Sequence, residues 1–233
     1  MITSVFKIFK RKDEEIKDKI QLKVQFLHGL EGDLIKEKQP YLEKRFIQCS
    51  TPGMKVSRWN IFYTNSFPRC LFRNLFKISK SGSECLKNCL KIQADAILKD
   101  QPDVIFGESW GGAIGLLLLA YGYWKGPIIL IAPALIRFLR LAGELDITID
   151  DVLNKINENN LGHNILLLHG EKDSTIPYKN SLEILEKVKG IKFISYKDGD
   201  HKLNFLIKDN SLTEIIQNHY KQFIENQKKQ INE

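Results

Sequence analysis

The chain has 233 residues, 43% apolar and 27% charged, with 35 Lys and Arg against 28 Asp and Glu and a formal net charge of +7. Soluble proteins average about 45–50% apolar and about 25% charged residues, so the composition describes an ordinary globular core and excludes a fibrous, repetitive or disordered chain. Only Lys7, Lys10, Arg11 and Lys12 cluster; the other basic residues are scattered among acids, which reads as a solvated surface and argues against a nucleic-acid partner.

Residues 1–19 are a basic, amphipathic lead-in. MITSVFKIFKRK lacks the apolar core and small-residue cleavage site of a secretory signal, and Asp13, Glu14 and Glu15 interrupt the acid-poor run of a mitochondrial presequence, the alternative reading. A cytoplasmic location is the expectation. IQLKVQFL (20–27) is a β-rich run that stops at His28-Gly29, PYLEKRF (40–46) has helical character, and FIQCSTPG (46–53) reads as a short strand ended by Pro52-Gly53. From Lys55 to Lys80 the pattern is irregular, with Trp59, Phe62, Tyr63, Phe67, Phe72 and Phe76 among basic residues.

Ser83 followed by ECLKNCLKIQADAILKD gives a helical stripe through Cys85, Leu86, Cys89, Leu90, Ala94 and Ile97, with Ser83 as its N-cap. Four cysteines, Cys49, Cys70, Cys85 and Cys89, are too few for a disulfide scaffold and have no CxxC spacing. Reduced packing residues in a reducing compartment are expected, without a metal. Pro102 opens the buried strand DVIFGES.

Trp110 to Leu135 is the most apolar stretch, but a membrane span needs about 20 consecutive apolar residues, and Lys125-Gly126-Pro127 divides this one. A buried helix and then a buried strand, IILIA, are expected, without stable membrane insertion. Residues 135–160 read as a polar linker with one or two short helices. ILLLHG (165–170) is a strand, SLEILEKVKG (181–190) a helix closed by Gly190, KFISY (192–196) a strand, and residues 211–230 a long terminal helix. Short, continuously apolar strands alternating with helices predict a parallel sheet covered on both faces, with right-handed crossovers, in one doubly wound domain over residues 20–233.

The informative motif is Gly107-Glu108-Ser109-Trp110-Gly111, GxSxG between a predicted strand and a predicted helix. A serine at such a turn is held in strained backbone with its hydroxyl pushed clear of the sheet, and the flanking glycines leave room for the bend. A phosphate loop is the competing reading of a Gly-rich turn, but GxxxxGK[ST] is missing. Serine is a poor nucleophile until a base takes its proton. His201, in Asp198-Gly199-Asp200-His201 just beyond KFISY, sits where a loop can carry an imidazole over the sheet edge. His163, His169 and His219 read as structural or loop residues. Asp173, in His169-Gly170-Glu171-Lys172-Asp173, is the candidate acid, with Glu171 as its main rival and Asp146, Asp198 and Asp200 behind. Ser109, Asp173, His201 follow the Ser, acid, His order of one hydrolase architecture. Oxyanion donors are expected from the amides of Trp110 and of Leu30, after Gly29, with His28 bracing that loop.

With these residues in view, the chain resembles the α/β-hydrolase family over about residues 20–233. It looks most like small, lid-poor esterase-like members, whose first strand-end loop reads HGxEG followed by a lysine; here the stretch is HGLEGDLIKEK. PDVIFGESWGGAIGL, HGEKDSTIP and DGDH fit such proteins as well. The resemblance implies a three-layer α/β-hydrolase fold and hydrolysis of esters or thioesters through an acyl-serine. The lead-in is too short for the antiparallel strand pair that often opens the fold, so a mostly parallel sheet of about six strands is expected. The interval of about thirty residues between APAL and NILLL is too short for a large lid domain. The aromatic stretch Trp59 to Phe76 and Trp110 fit either an acyl-pocket wall or core packing.

The resulting expectation is a serine hydrolase of small to medium acyl esters, with Ser109 as nucleophile, His201 as base and Asp173 orienting it, and with no cofactor. A peptidase using the same three residues and a non-catalytic protein binding a hydrophobic small molecule in the same fold are the alternatives.

Overall fold

A computed structural model describes residues 19–30, 35–54, 82–141 and 147–232. The lead-in before Lys19, the aromatic stretch Trp59 to Phe76, Cys70 and Asp146 lie outside the described residues.

The apolar runs anticipated from sequence form the strands β1 (Ile20–Leu27), β2 (Phe46–Ser50), β3 (Val104–Glu108), β4 (Ile128–Ile131), β5 (Ile165–Gly170) and β6 (Lys192–Tyr196). Among the described residues these make a six-stranded sheet in the order β2-β1-β3-β4-β5-β6, every pair parallel. β3, β4 and β5 are buried at every position, the pattern of strands covered on both faces. Edge strand β6 is mostly half-buried or exposed.

Helices alternate with the strands: α1 (Ile35–Arg45), α2 (Gly82–Asp100), α3 (Trp110–Ala120), α4 (Leu135–Leu141), α5 (Ile149–Glu158), α6 (Tyr178–Lys187), α7 (Phe205–Lys208) and α8 (Ser211–Asn232). The two-residue side-chain period of a strand divides the core. Ile105, Ile128, Leu130, Ile165 and Leu167 pack on one face with α2, α3, α4, α5 and Ile184 of α6. Phe26, Val104, Phe106, Ile129, Ile131 and Leu168 pack on the other with Leu42, Leu206, Leu212 and Ile216. Phe26 and Phe106 stack across β1 and β3 at 5.2 Å between ring centroids. Cys85 and Cys89 are buried on the α2 side, as packing residues.

Several boundaries differ from the sequence reading: the helix read over 181–190 runs Tyr178–Lys187, and the strand read over 46–53 ends at Ser50. α1 begins at Ile35, not Pro40, and accommodates Pro40 inside it; Lys38, on the added turn, is fully buried, so a tertiary contact extends a helix that propensity alone would start later. α2 begins at Gly82, which places Ser83 within its first turn rather than before it; helix ends commonly shift by a residue or two.

All eleven residues of α3 are buried, which accounts for an apolar stretch that circles the helix; no helix among the described residues is long and apolar enough to cross a membrane. The start of α3 lies tightly on its neighbours. A methyl group at Gly111 would sit 1.8 Å from the Leu27 carbonyl oxygen, and one at Gly112 would sit 2.9 Å from Pro133 Cα. Backbone cannot move aside as a side-chain tip can, so Gly111→Ala is expected to cost about 3 kcal/mol of stability, read as a lower urea midpoint.

The strand order reverses direction between β1 and β3, where successive connections run to opposite sides. In parallel α/β sheets the crevice beyond the strand C-termini at such a point is where ligands bind. The turns after β1 and β3, and the loops after β5 and β6, all lie on this edge.

Candidate active site

Ser109 joins β3 directly to α3 and has φ 54° and ψ −111°. A non-glycine residue in left-handed backbone is held there only by its surroundings. Its N–H donates to Ile131 O at 2.9 Å, and its carbonyl accepts from Ala113 N at 3.1 Å and Ala134 N at 2.9 Å. Gly107 permits the return of the chain, since a methyl group there would meet Gly111 O at 2.9 Å. The positive end of the α3 dipole and its unpaired first-turn amides face the same edge.

The loop after β1 lies against this turn, with the Leu27 and His28 carbonyls beside Gly111. Leu30 is half-buried on it, next to the core that contains Trp110. His28 braces the loop through both ring nitrogens: Nδ1–H donates to Gly29 O at 2.7 Å, and Nε2 accepts from Met54 N at 3.1 Å. Burial lowers its pKa, and the Gly29 bond opposes that only in part. The Trp110 ring is buried edge-on to Phe138 at 4.9 Å, within the core cluster.

Asp173 lies in the turn after β5, with every oxygen engaged. Oδ1 accepts from Thr175 N at 2.7 Å and Ile176 N at 2.8 Å, and Oδ2 lies 2.7 Å from His201 Nδ1 and 3.2 Å from His169 Nε2. A carboxylate only accepts, so His201 carries its proton on Nδ1 and leaves the Nε2 lone pair free. His201 is held by its own turn, where Asp200 Oδ1 accepts from Lys202 N at 3.1 Å and Leu203 N at 2.8 Å. The loops after β5 and β6 are laced together: Lys172 N donates to Gly199 O at 3.0 Å, and a methyl group on Gly170 would lie 2.3 Å from that oxygen.

The other candidate residues are placed elsewhere. Glu171 turns onto β6 and accepts from Ser195 Oγ at 3.0 Å. Asp198 pairs with Lys172 at the surface at 2.6 Å. His219 donates from Nε2 to Asn164 O at 2.9 Å. His163 lies in the short 3-10 turn Gly162–Asn164. Among the described residues no hydrogen bond joins Ser109 Oγ to His201, a contact that is often long until substrate binds. No three His, Cys, Asp or Glu side chains among them converge as metal ligands.

Two residues within stretches that the sequence analysis names received no role there. His169 shares the Asp173 carboxylate: its Nε2–H points at Ile176 O, 3.1 Å away, and at Asp173 Oδ2, while Nδ1 accepts from Ser181 Oγ at 2.6 Å. Its spacing four residues before Asp173 was the available signal. The other is Lys38, whose ammonium lies 2.7 Å from Glu108 Oε1, both side chains fully buried. Burial pushes the Glu108 carboxyl up, and Lys38 offsets that only in part.

Burial also works against ionisation of Asp173, but hydrogen bonds from His169 and His201, attraction to the His201 imidazole when that ring is protonated, and the Ile176 amide outweigh it and hold the carboxyl well below the usual carboxylate range. A carboxyl depressed in the folded state contributes stability in full above its unfolded pKa of about 3.9 and loses it as pH falls towards the depressed value. Urea titrations of wild type and Asp173→Asn are therefore expected to differ most above about pH 4 and to converge below it.

No protein-family model matches the chain, and no curated protein matches it by sequence. Solved structures do. Est1E from Butyrivibrio proteoclasticus is 17% identical, with a TM-score of 0.57 over 89% of this chain and 90% of its own. A serine hydrolase from the polyaromatic hydrocarbon-degrading bacterium Cycloclasticus zankles is 15% identical, with a TM-score of 0.55 over 86% and 89%. A serine hydrolase without lid from Xanthomonas campestris is 15% identical, with a TM-score of 0.52 over 88% and 84%. The parallel six-stranded sheet with helices on both faces, closed over a serine turn at its switch point, is an α/β-hydrolase fold.

Proposed function

We propose that the chain is a serine hydrolase that cleaves carboxylic esters or thioesters of small to medium acyl groups. The observation that carries this reading is the 2.7 Å bond between His201 Nδ1 and Asp173 Oδ2 on the sheet edge that also holds Ser109 in left-handed backbone. His201 Nε2 takes the proton of Ser109 Oγ as the hydroxyl attacks the acyl carbon, and then gives it to the leaving alkoxide or thiolate. Asp173 fixes the tautomer and stabilises the imidazolium. The developing oxyanion is received by the amides of Trp110 and Leu30, and water, deprotonated by the same imidazole, releases the acid. Each step is complete with side chains, backbone amides and water.

The Cycloclasticus and Xanthomonas proteins are serine hydrolases, the second without a lid; α4 and α5, between β4 and β5, likewise suit an open cleft here. The test is labelling of purified protein by a fluorophosphonate probe, together with hydrolysis of nitrophenyl esters of increasing acyl length. Labelling at Ser109 with turnover that peaks at short or medium chains supports the reading. A protein that neither labels nor turns over these esters overturns it in favour of a binding role for the same fold.

A further inference from the structure

Lys38 is a fully buried lysine on the first helix, and its ammonium does more than neutralise Glu108. It lies 2.7 Å from Glu108 Oε1, 2.5 Å from the carbonyl oxygen of Lys202 and 3.4 Å from Asn204 Oδ1. Glu108 is the residue before Ser109, and Lys202 is the residue after His201. One cation therefore holds the chain neighbours of both residues assigned to proton transfer, although the strands that carry them, β3 and β6, are separated in the sheet by β4 and β5.

Stability alone is a poor reason for this arrangement. Desolvating two charges is expensive, and replacing a buried ion pair by apolar residues of similar volume is often neutral or stabilising. α1 is already fastened to the sheet by Leu42, in the same apolar cluster as Phe26 and Phe106. What apolar packing, which buries Leu203 in that same cluster, does not supply is a directional grip on the backbone of the loop after β6. That loop needs one, because Leu203 has φ 46° and a strained residue persists only where its surroundings hold it. Asp200 holds the turn from within, and α1 holds it from outside twice, through Lys38 and through Glu37, which accepts a hydrogen bond from Asn204 Nδ2.

We propose that Lys38 is a positioning residue for the reaction, grasping Glu108 and the Lys202 carbonyl together so that the His201 imidazole is held in register with Ser109. The inference rests on the serine-hydrolase reading and deepens it. Lys38 touches neither substrate nor the reacting atoms; it acts through the backbone on either side of them. Misplacement of a reacting group by about 1 Å costs about 10²-fold in rate, which sets the size of the expected effect.

The test compares wild type with Lys38→Met/Glu108→Leu, which removes both buried charges and fills their volume, and with Asn204→Ala, which loosens the same loop from its half-buried side. Urea midpoint, kcat, KM and the rate of fluorophosphonate labelling are measured for each. The expected result is a double variant with an undiminished midpoint and a KM within about threefold of wild type, whose kcat and labelling rate fall by about 10²-fold; Asn204→Ala falls several-fold at unchanged stability. A folded double variant with wild-type kcat overturns the proposal and leaves Lys38 a packing residue. If the double variant does not fold, Asn204→Ala decides: a folded protein with reduced kcat supports the grip, and one with wild-type kcat overturns it. A wild-type protein that neither labels nor hydrolyses esters brings down the hydrolase reading and this inference with it, a result distinct from one in which wild type reacts and the variants match it.

Discussion

Ser109→Ala, His201→Ala and the double variant are each expected to lower kcat by about 10⁶-fold, the second replacement adding almost nothing to the first. In the proposed mechanism the hydroxyl and the imidazole act as one unit: without the base the hydroxyl keeps its proton, and without the hydroxyl the base has nothing to activate. Single and double variants assayed on the same nitrophenyl ester check this, and losses that multiply would mean the two residues act independently. Backbone strain separates two versions of the serine replacement. Alanine keeps the penalty of φ 54° at this position, whereas glycine does not, so Ser109→Gly is expected to be as inactive as Ser109→Ala and about 1 kcal/mol more stable by urea unfolding.

The second large effect is at the acid. Asp173→Asn is expected to lower kcat by about 10⁴-fold with little change in KM. The amide oxygen can still accept from the Thr175 and Ile176 amides, so the turn survives. At the position of Oδ2, however, an NH₂ group would face His201 Nδ1 and His169 Nε2, both of which present N–H in the wild type. His201 relieves the clash by moving its proton to Nε2, the nitrogen that the proposed mechanism needs bare to accept from Ser109. Full activity in a folded Asp173→Asn protein would remove Asp173 from the mechanism. The imidazole proton resonance in the NMR spectrum, present when Nδ1–H is bonded to the carboxylate, should shift or vanish in the variant.

The strands were readable because of their burial. IILI and ILLLHG are apolar throughout, and a short run with no polar face can satisfy its surroundings only between two layers. The serine turn was readable because GxSxG combines two local demands, a sharp bend and close backbone approach, which glycines at fixed offsets reveal. Asp173 and Glu171 both follow β5 within three residues; what separates them is that Asp173 bonds the amides two and three residues ahead, a local turn that a longer glutamate side chain does not make.

The start of α1 and the burial of Lys38 were not readable. IKEKQ looks like a solvated helix surface, and the partners that draw Lys38 inside are Glu108, 70 residues on, and Lys202, 164 residues on. His169 was hidden differently. It sits inside an apolar strand, where a histidine reads as packing, and its bond to Asp173 follows from the turn after β5, in which Asp173 N donates to Gly170 O.

The separation of 164 residues between Lys38 and the Lys202 carbonyl bears on when in its life the protein becomes competent. Synthesis proceeds from the N-terminus, so the serine turn and the lysine emerge from the ribosome well before the loop they are to receive. Contacts so remote in sequence close late, because loop-closure entropy must be met before they contribute. Until the last strand and its loop dock, the proposed nucleophile stands without its proposed base.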